Sequence, residues 1–506
     1  MSAATAQDAA APARATSRGR SRGRPRIRAR IHRVPVAAVA CAAVACLNAT
    51  CWSIVLPPFE APDEPAHFAY VATLAETGSL PSSNHEIFAP AEEIALAGLH
   101  FPAVFFRPAE GTISTQGEQS ALEHDLALPL SRSGREAGVA ATEPPLYYAL
   151  QTIPYELGSG GTVLDRLALM RLLSAFFGGL TALFAYLFVR EALPGEPWAW
   201  AVGGLGAALA PLLGMISGAV NPDALCFAVS AALFYLLARA FRRGLTPASS
   251  VALGAAVAIG CLTKLSFLGL VPGVLLGLLA LAIRAAAASP RRALASLTAA
   301  LATAAVPLLL YATLFAHDGS QQLGEISGSA GDASGGSLLH ELEYVWQFYL
   351  PRLPGMTAYF HGLLTTRVLW FDGLVGLYGW LDTTFPNWVY EAALLPAAAL
   401  TMLLLRALFA HRSALHDRIV EVAVYAAMTA GMLAVVGVSD YANGVPGEFR
   451  EPRYLLPMIA LWALALALAA RGAGRRWAPA AGALIVLTSF AHDAFSLLLV
   501  VSRYYG

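Results

Sequence analysis

The chain has 506 residues, of which 57% are hydrophobic and only 13% charged, with a mean hydropathy of +0.58. Soluble chains carry about 25% charged residues. So much apolar surface calls for lipid, which excludes a soluble enzyme, a nucleic-acid binder and a disulfide-stapled scaffold as the main identity.

The net charge of zero conceals an uneven distribution. A single lysine, Lys264, stands against thirty-two arginines, nine of which fall between Arg14 and Arg33. The segment from Pro57 to Asp165 carries fifteen acidic residues and only three arginines. The cysteines (Cys41, Cys46, Cys51, Cys226 and Cys261) all lie in apolar runs, so no structural disulfide is expected.

Residues 1–33 are mostly Ala, Pro, Ser, Gly and Arg with almost nothing to bury, and read as a disordered, basic cytoplasmic tail. The apolar run that follows continues to Leu56. That length favours a retained first span over the h-region of a cleaved signal peptide. Residues 34–506 then form one transmembrane domain. Its further apolar runs lie near Leu167–Val189, Trp198–Val220, Ala224–Ala240, Val251–Ile283, Ala293–Ala316, Val389–Ala410, Ile419–Val438, Leu455–Ala470 and Ala478–Val501.

The run Val251–Ile283 would make a single helix of roughly 50 Å, too long for one crossing. Arg239, Arg242 and Arg243 precede it and Arg284, Arg291 and Arg292 follow it, which puts both its ends on the cytoplasmic side. It therefore reads as two short helices with Lys264 at the far turn. The result is an all-α integral membrane protein with about eleven transmembrane helices, within a range of ten to thirteen. The N-terminus is inside, and 22 arginines lie inside against ten outside.

Two outer segments, 57–166 and 317–388, are too long for turns, and loops of that length usually serve a function. Both contain amphipathic pieces such as Leu338–Tyr349, so partly helical loops are expected. Ser327–Ser337 is rich in Gly and Ser and reads as flexible.

Candidate chemistry gathers on that outer side. Asp63 and Glu64 follow the first span closely and are bracketed by Pro62 and Pro65, which restrict the backbone. His67 is the nearest other titrating group. Pro144 and Pro145 are followed by Tyr147 and Tyr148, rings suited to the headgroup layer. Arg171 stands near the outer end of the second span, and Asn221, Pro222 and Asp223 make a tight turn. Lys264 is an ionisable group inside an apolar run, a functional hypothesis by default. Arg450 and Arg453 precede the tenth span. Together with Lys264 they put cations on the outer rim, where arginine binds phosphate in bidentate fashion. His492 and Asp493, within the last span, read as a buried hydrogen-bonded pair.

These pieces in this order resemble the GT-C membrane glycosyltransferases. More narrowly, the chain is similar to the bacterial membrane family known as domain of unknown function 2142. The resemblance rests on PDEPAHFAY (Pro62–Tyr70), EPPLYY (Glu143–Tyr148), NPDAL (Asn221–Leu225), LTKLSFLGLVP (Leu262–Pro272), YGWLDTTFPNWVY (Tyr378–Tyr390) and EPRYLLP (Glu451–Pro457). It implies a GT-C-like fold in the bacterial cytoplasmic membrane. It further implies an inverting transfer of sugar from a polyprenyl-phosphate donor to a glycan or lipid acceptor on the outer face.

Asp63 or Glu64 would then be the general base. Lys264, Arg450 and Arg453 would hold the donor phosphate, and His67, Tyr147, Tyr148 and Arg171 would line the substrate space. No metal ligand set and no cofactor are identified, and help from a divalent cation stays open. No nucleic-acid partner is expected, and no nucleotide-binding motif is present. The rival expectation is a transporter or flippase of lipid-linked sugars, with charges along a path at the midplane.

Overall fold

Runs of about twenty apolar residues must satisfy every backbone polar group internally, and a helix does this within one segment. In the computed structural model, which describes residues 34–81, 85–107, 115–128, 135–314, 338–360, 366–442 and 451–506, each run is helical. The first span is α1 (Val36–Val55). The first long loop folds into α2 (Glu64–Thr77), α3 (Pro90–Gly98), α4 (Phe101–Val104), α5 (Gln116–Leu126) and α6 (Leu146–Leu157). A two-residue antiparallel ribbon pairs Glu86 with Ala137 and Ile87 with Glu136.

The bundle continues through α7 (Val163–Ala192), α8 (Pro197–Ala208), α9 (Pro211–Ser217), α10 (Asp223–Arg243), α11 (Pro247–Thr263), α12 (Val271–Ala286) and α13 (Pro290–Leu314). After α14 (Leu338–Tyr349) come α15 (Asn387–Ala410), α16 (Ile419–Ala442), α17 (Ile459–Gly472) and α18 (Ala478–Tyr505). Among the described residues, nine helical stretches are long and apolar enough to cross a membrane on their own. The bent pair α8–α9 and the shorter α11 supply the remaining two of the eleven expected runs.

Two of these spans depart from simple helices, and each departure has a local cause. Pro211 lacks an amide hydrogen and drives Ala210 into an extended conformation, so the Trp198–Val220 run bends by 56° between α8 and α9. The bend leaves the Ala208 carbonyl without its helical partner, and the Asn48 side-chain amide of α1 donates to it at 3.2 Å.

The long run Val251–Ile283 breaks at Lys264, which is extended at φ −155° and ψ 135°. A short 3₁₀ stretch, Leu265–Leu270, then leads into α12. The 3₁₀ stretch is clamped from outside, because a Cβ added to Gly431 of α16 would meet the Gly269 carbonyl oxygen at 2.1 Å. Gly431→Ala should therefore force α16 off this segment, at a cost of about 1–3 kcal/mol for overpacking. The expected result is a lower Tm together with misplacement of Lys264.

Helices α7 and α10 are the most enclosed and pack along each other, with α1, α8 and α17 around them. By contrast, few residues of α15 are fully buried, and it packs on α17 through half-buried side chains such as Leu400, Leu403 and Leu404. The amphipathic piece Leu338–Tyr349 is helical as expected, whereas Ser327–Ser337 lies outside the described residues.

Candidate active site

The chain leaves α1 through Pro57 and Pro58 and re-enters helix at Glu64. Between them Phe59 (φ 68°) and Asp63 (φ 62°) adopt left-handed conformations that non-glycine residues avoid at a cost of about 1–3 kcal/mol each. Asp63 occupies the N-cap of α2 but makes no capping bond. Its side chain turns instead to Arg453, whose Nη2 donates to Oδ2 at 2.8 Å. About a third of the Asp63 side chain stays exposed.

The adjacent Glu64 is fully enclosed. Its carboxylate accepts four hydrogen bonds: from Arg171 Nε (2.8 Å) and Nη2 (2.5 Å), from the Phe59 amide (3.0 Å) and from the Val220 amide (2.9 Å). Those fill the roughly four acceptor positions of a carboxylate. Arg171 spends its other donors on the carbonyls of Ser53, Leu56 and Pro57. The Glu64–Arg171 pair thus ties together the end of α1, the start of α2, α7 and the turn before α10. It has no bonding capacity left for a ligand.

Arg453 is the hub of the remaining charges. Besides Asp63, its Nε contacts Glu451 and lies 3.9 Å from Asp223 Oδ2, while Nη1 has no hydrogen-bond partner among the described residues. The other oxygen of Asp223 takes Lys264 Nζ at 2.9 Å, and Lys264 lies 3.7 Å from Glu143. Both cations sit over the Tyr454 ring, Arg453 at 5.2 Å and Lys264 at 5.4 Å from its centre. The turn that presents Asp223 is fixed by Asn221, which accepts from the Asp223 amide and donates to the Pro62 carbonyl. Asp63, Lys264 and Arg453 are therefore neighbours, joined through Asp223.

Four carboxylates here face two fixed cations. Burial is the largest single influence on the Asp63 carboxyl and pushes it upward, but the charge and hydrogen bond of Arg453 together with the other positive groups around it, Lys264 among them, hold it below the usual range. Glu143 is raised by burial, and Glu451 is raised by burial to about 7. Burial also drives His67 down to about 3, so its ring is neutral. His67 Nδ1 pairs with the Tyr148 hydroxyl at 2.9 Å, and Tyr148 stacks on Tyr70 at 3.7 Å.

Tyr147 is fully enclosed and hydrogen-bonds to Ser174 and Gln151, so its hydroxyl serves packing. Among the described residues, no three His, Cys, Asp or Glu side chains gather in an arrangement that would hold a metal ion. A divalent cation thus finds no ready ligand set among the described residues.

Arg450 lies outside the described residues. His492 and Asp493 do not bond each other as expected. Consecutive residues on a helix point about 100° apart, and His492 meets the Val375 carbonyl while Asp493 accepts from Trp52. Sequence reasoning passed over Glu143, Glu451 and Tyr454 and took Asp223 for a turn residue. The signal was there, because an intramembrane lysine needs carboxylate partners, and these residues lie within the motifs that frame it.

Behind Asp63, Glu60 is buried against the Tyr504 hydroxyl, with Asp382 close enough to act on it; burial first, then Asp382, raise its pKa from 4.5 to about 8. A carboxyl raised in the folded state keeps a proton that the unfolded chain releases. Its contribution to stability is complete below the unfolded value and is lost as pH rises from about 4.5 through about 8. Glu60→Gln should flatten that decline, read as Tm against pH for parent and variant.

Residues 46–462 match the family model described as "Predicted membrane protein (DUF2142)", and the chain belongs to that family. No curated protein matches it in sequence. Among solved structures, it is similar to the oligosaccharyltransferase of Archaeoglobus fulgidus in its apo form, at 14% identity and a TM-score of 0.40. The match covers 92% of this chain and 56% of that one. The same protein in complex with Zn and sulfate gives 14% identity and a TM-score of 0.37, over 92% and 51% of the two chains. This chain thus spans about half the length of that enzyme, and an overlap this loose leaves function to be argued from the site.

Proposed function

We propose that this protein is a membrane glycosyltransferase that moves a sugar from a polyprenyl-phosphate donor to a glycan or lipid acceptor, on the outer face of the bacterial cytoplasmic membrane. The observation that carries the reading is the junction of Asp63, Arg453, Asp223 and Lys264, where a part-exposed carboxylate adjoins cations with a donor to spare. Of the pieces behind the GT-C resemblance, the acidic pair Asp63–Glu64 and the Tyr147–Tyr148 segment both belong to the loop that carries this junction.

In the proposed step the acceptor oxygen attacks the anomeric carbon, with inversion, as its proton passes to Asp63. The bond from that carbon to the phosphate oxygen breaks, and its electron pair leaves with the polyprenyl phosphate. Arg453, Lys264 and, by its place in the sequence, Arg450 stabilise the charge on the departing phosphate. Arg453 Nη1, buried and without a hydrogen-bond partner among the described residues, is the donor left for a phosphate, which would compete with Asp63 for the guanidinium and free the base when the lipid donor is present. His67 and Tyr148 form the neighbouring wall, and Glu64 with Arg171 holds the loop in register.

Charge placement argues against a transport path. From Leu172 to Val189, α7 carries no charged residue, and neither does α10 from Ala224 to Ala238. The test uses purified protein in liposomes with labelled polyprenyl-phosphate sugars and a panel of acceptors. Label on the acceptor and release of free polyprenyl phosphate are expected. Movement of intact donor lipid across the bilayer with no sugar released would replace the enzyme with a flippase.

A further inference from the structure

A second polar site lies at the other end of α7. Arg171 and Glu191 are separated along that helix by roughly 30 Å, about the thickness of a bilayer core. Around Glu191 the ends of α7, α10 and α12 and the start of α16 line an open-mouthed cavity of about 310 Å³. That is about ten times the ~30 Å³ share of one water molecule in the liquid.

The charges on its walls are unevenly matched. Glu191 is held by Arg242 at 3.5 Å and by Arg243 at 2.6 Å, two cations on one carboxylate. Arg418 is spent on Glu421 and on the Ala192 carbonyl. Arg284, in the last turn of α12, lies over the Phe241 ring at 5.5 Å and has no carboxylate partner among the described residues. Asp417, at the foot of α16, makes no ion pair there either. The cavity thus offers spare guanidinium donors on one wall and a spare carboxylate on another, a membrane thickness away from Asp63.

We infer that this cavity binds the phosphate of a lipid headgroup through Arg284 and Arg242, with Asp417 accepting from a donor group beside that phosphate. A phosphate suits the planar fork of arginine, and basic pockets between transmembrane helices take phospholipid headgroups. Asp417 narrows the class to headgroups that carry a hydrogen-bond donor, such as the hydroxyls of phosphatidylglycerol or the ammonium of phosphatidylethanolamine. Phosphatidylcholine has the same phosphodiester but no such donor. The inference stands apart from the proposed sugar transfer, since no residue is shared.

The experiment follows thermal unfolding of the full chain in neutral detergent during titration with each lipid or with inorganic phosphate. Phosphatidylglycerol and phosphatidylethanolamine should raise Tm, phosphatidylcholine should do so less, and inorganic phosphate should not. R284Q should weaken the apparent affinity for phosphatidylglycerol by about tenfold, the worth of one charge-assisted hydrogen bond. Its Tm without lipid should stay close to the parent, because Arg284 makes no ion pair among the described residues and only its contact with the Phe241 ring is lost. R284K should keep part of the affinity, and D417A, which removes the acceptor, should erase the difference between the ethanolamine and choline lipids. Equal stabilisation by phosphatidylcholine in the parent, or parental affinity in R284Q, overturns the proposal. An equal effect of inorganic phosphate overturns the assignment to a lipid.

Discussion

Asp63→Asn is expected to lower sugar transfer by about 10²–10⁴-fold, the usual worth of general-base catalysis, while membrane insertion and Tm stay close to the parent. Asn keeps the size of the side chain and can still accept from Arg453 Nη2, but it cannot take a proton from the acceptor hydroxyl. The backbone strain at Asp63 is unchanged, since Asn tolerates the left-handed region about as well as Asp.

Glu64→Gln makes the contrast. Its carboxylate is the fully enclosed partner of Arg171, so the variant leaves a buried guanidinium unmatched, at a cost of about 3–5 kcal/mol. The two adjacent variants should therefore fail differently: Asp63→Asn folded and inactive, Glu64→Gln unstable with activity lost in proportion to folded protein. Near-parental turnover in Asp63→Asn would remove the base from the proposed reaction. If turnover per folded molecule were lost only in Glu64→Gln, the pair's roles would be exchanged.

The spans were legible because a membrane leaves few choices. Each apolar run has to become a helix, and the arginines on both sides of Val251–Ile283 mark its division, which falls at Lys264. The bend at Pro211 was less visible, because proline inside a transmembrane run is tolerated when a neighbour satisfies the freed carbonyl. Here that neighbour is Asn48, about 160 residues away in sequence.

The site was legible as a gathering of charges on one side of the bundle, but its pairing was not. Sequence position gives the depth of a charged residue and says little about which face of a helix it occupies. Glu64 and Arg171 looked available for chemistry and are instead saturated by each other and by backbone groups. Asp223 looked like a turn residue, yet it bridges the two cations.

Lys264→Met provides the second large effect. Lys264 is enclosed, with Asp223 at 2.9 Å and Glu143 at 3.7 Å, so it does not reach out to the headgroups as a snorkelling lysine would. Removing it strands carboxylates in a site where burial already raises Glu143. Two losses are expected together: a lower Tm from the unmatched carboxylates, and a fall in sugar transfer from loss of a cation at the leaving phosphate.

The double variant Lys264→Met/Asp223→Asn separates them. Neutralising Asp223 restores the charge balance, so Tm should recover. Transfer should stay low, because no cation has been returned to the phosphate. Lys264→Arg should regain only part of the activity, since a planar fork does not reproduce a compact ammonium between two carboxylates. The measurements are transfer from a synthetic polyprenyl-phosphate donor and Tm on the same detergent samples. Activity that recovers together with Tm in the double variant would make Lys264 a counter-ion for Asp223 alone, and the phosphate would then rest on Arg453 and Arg450.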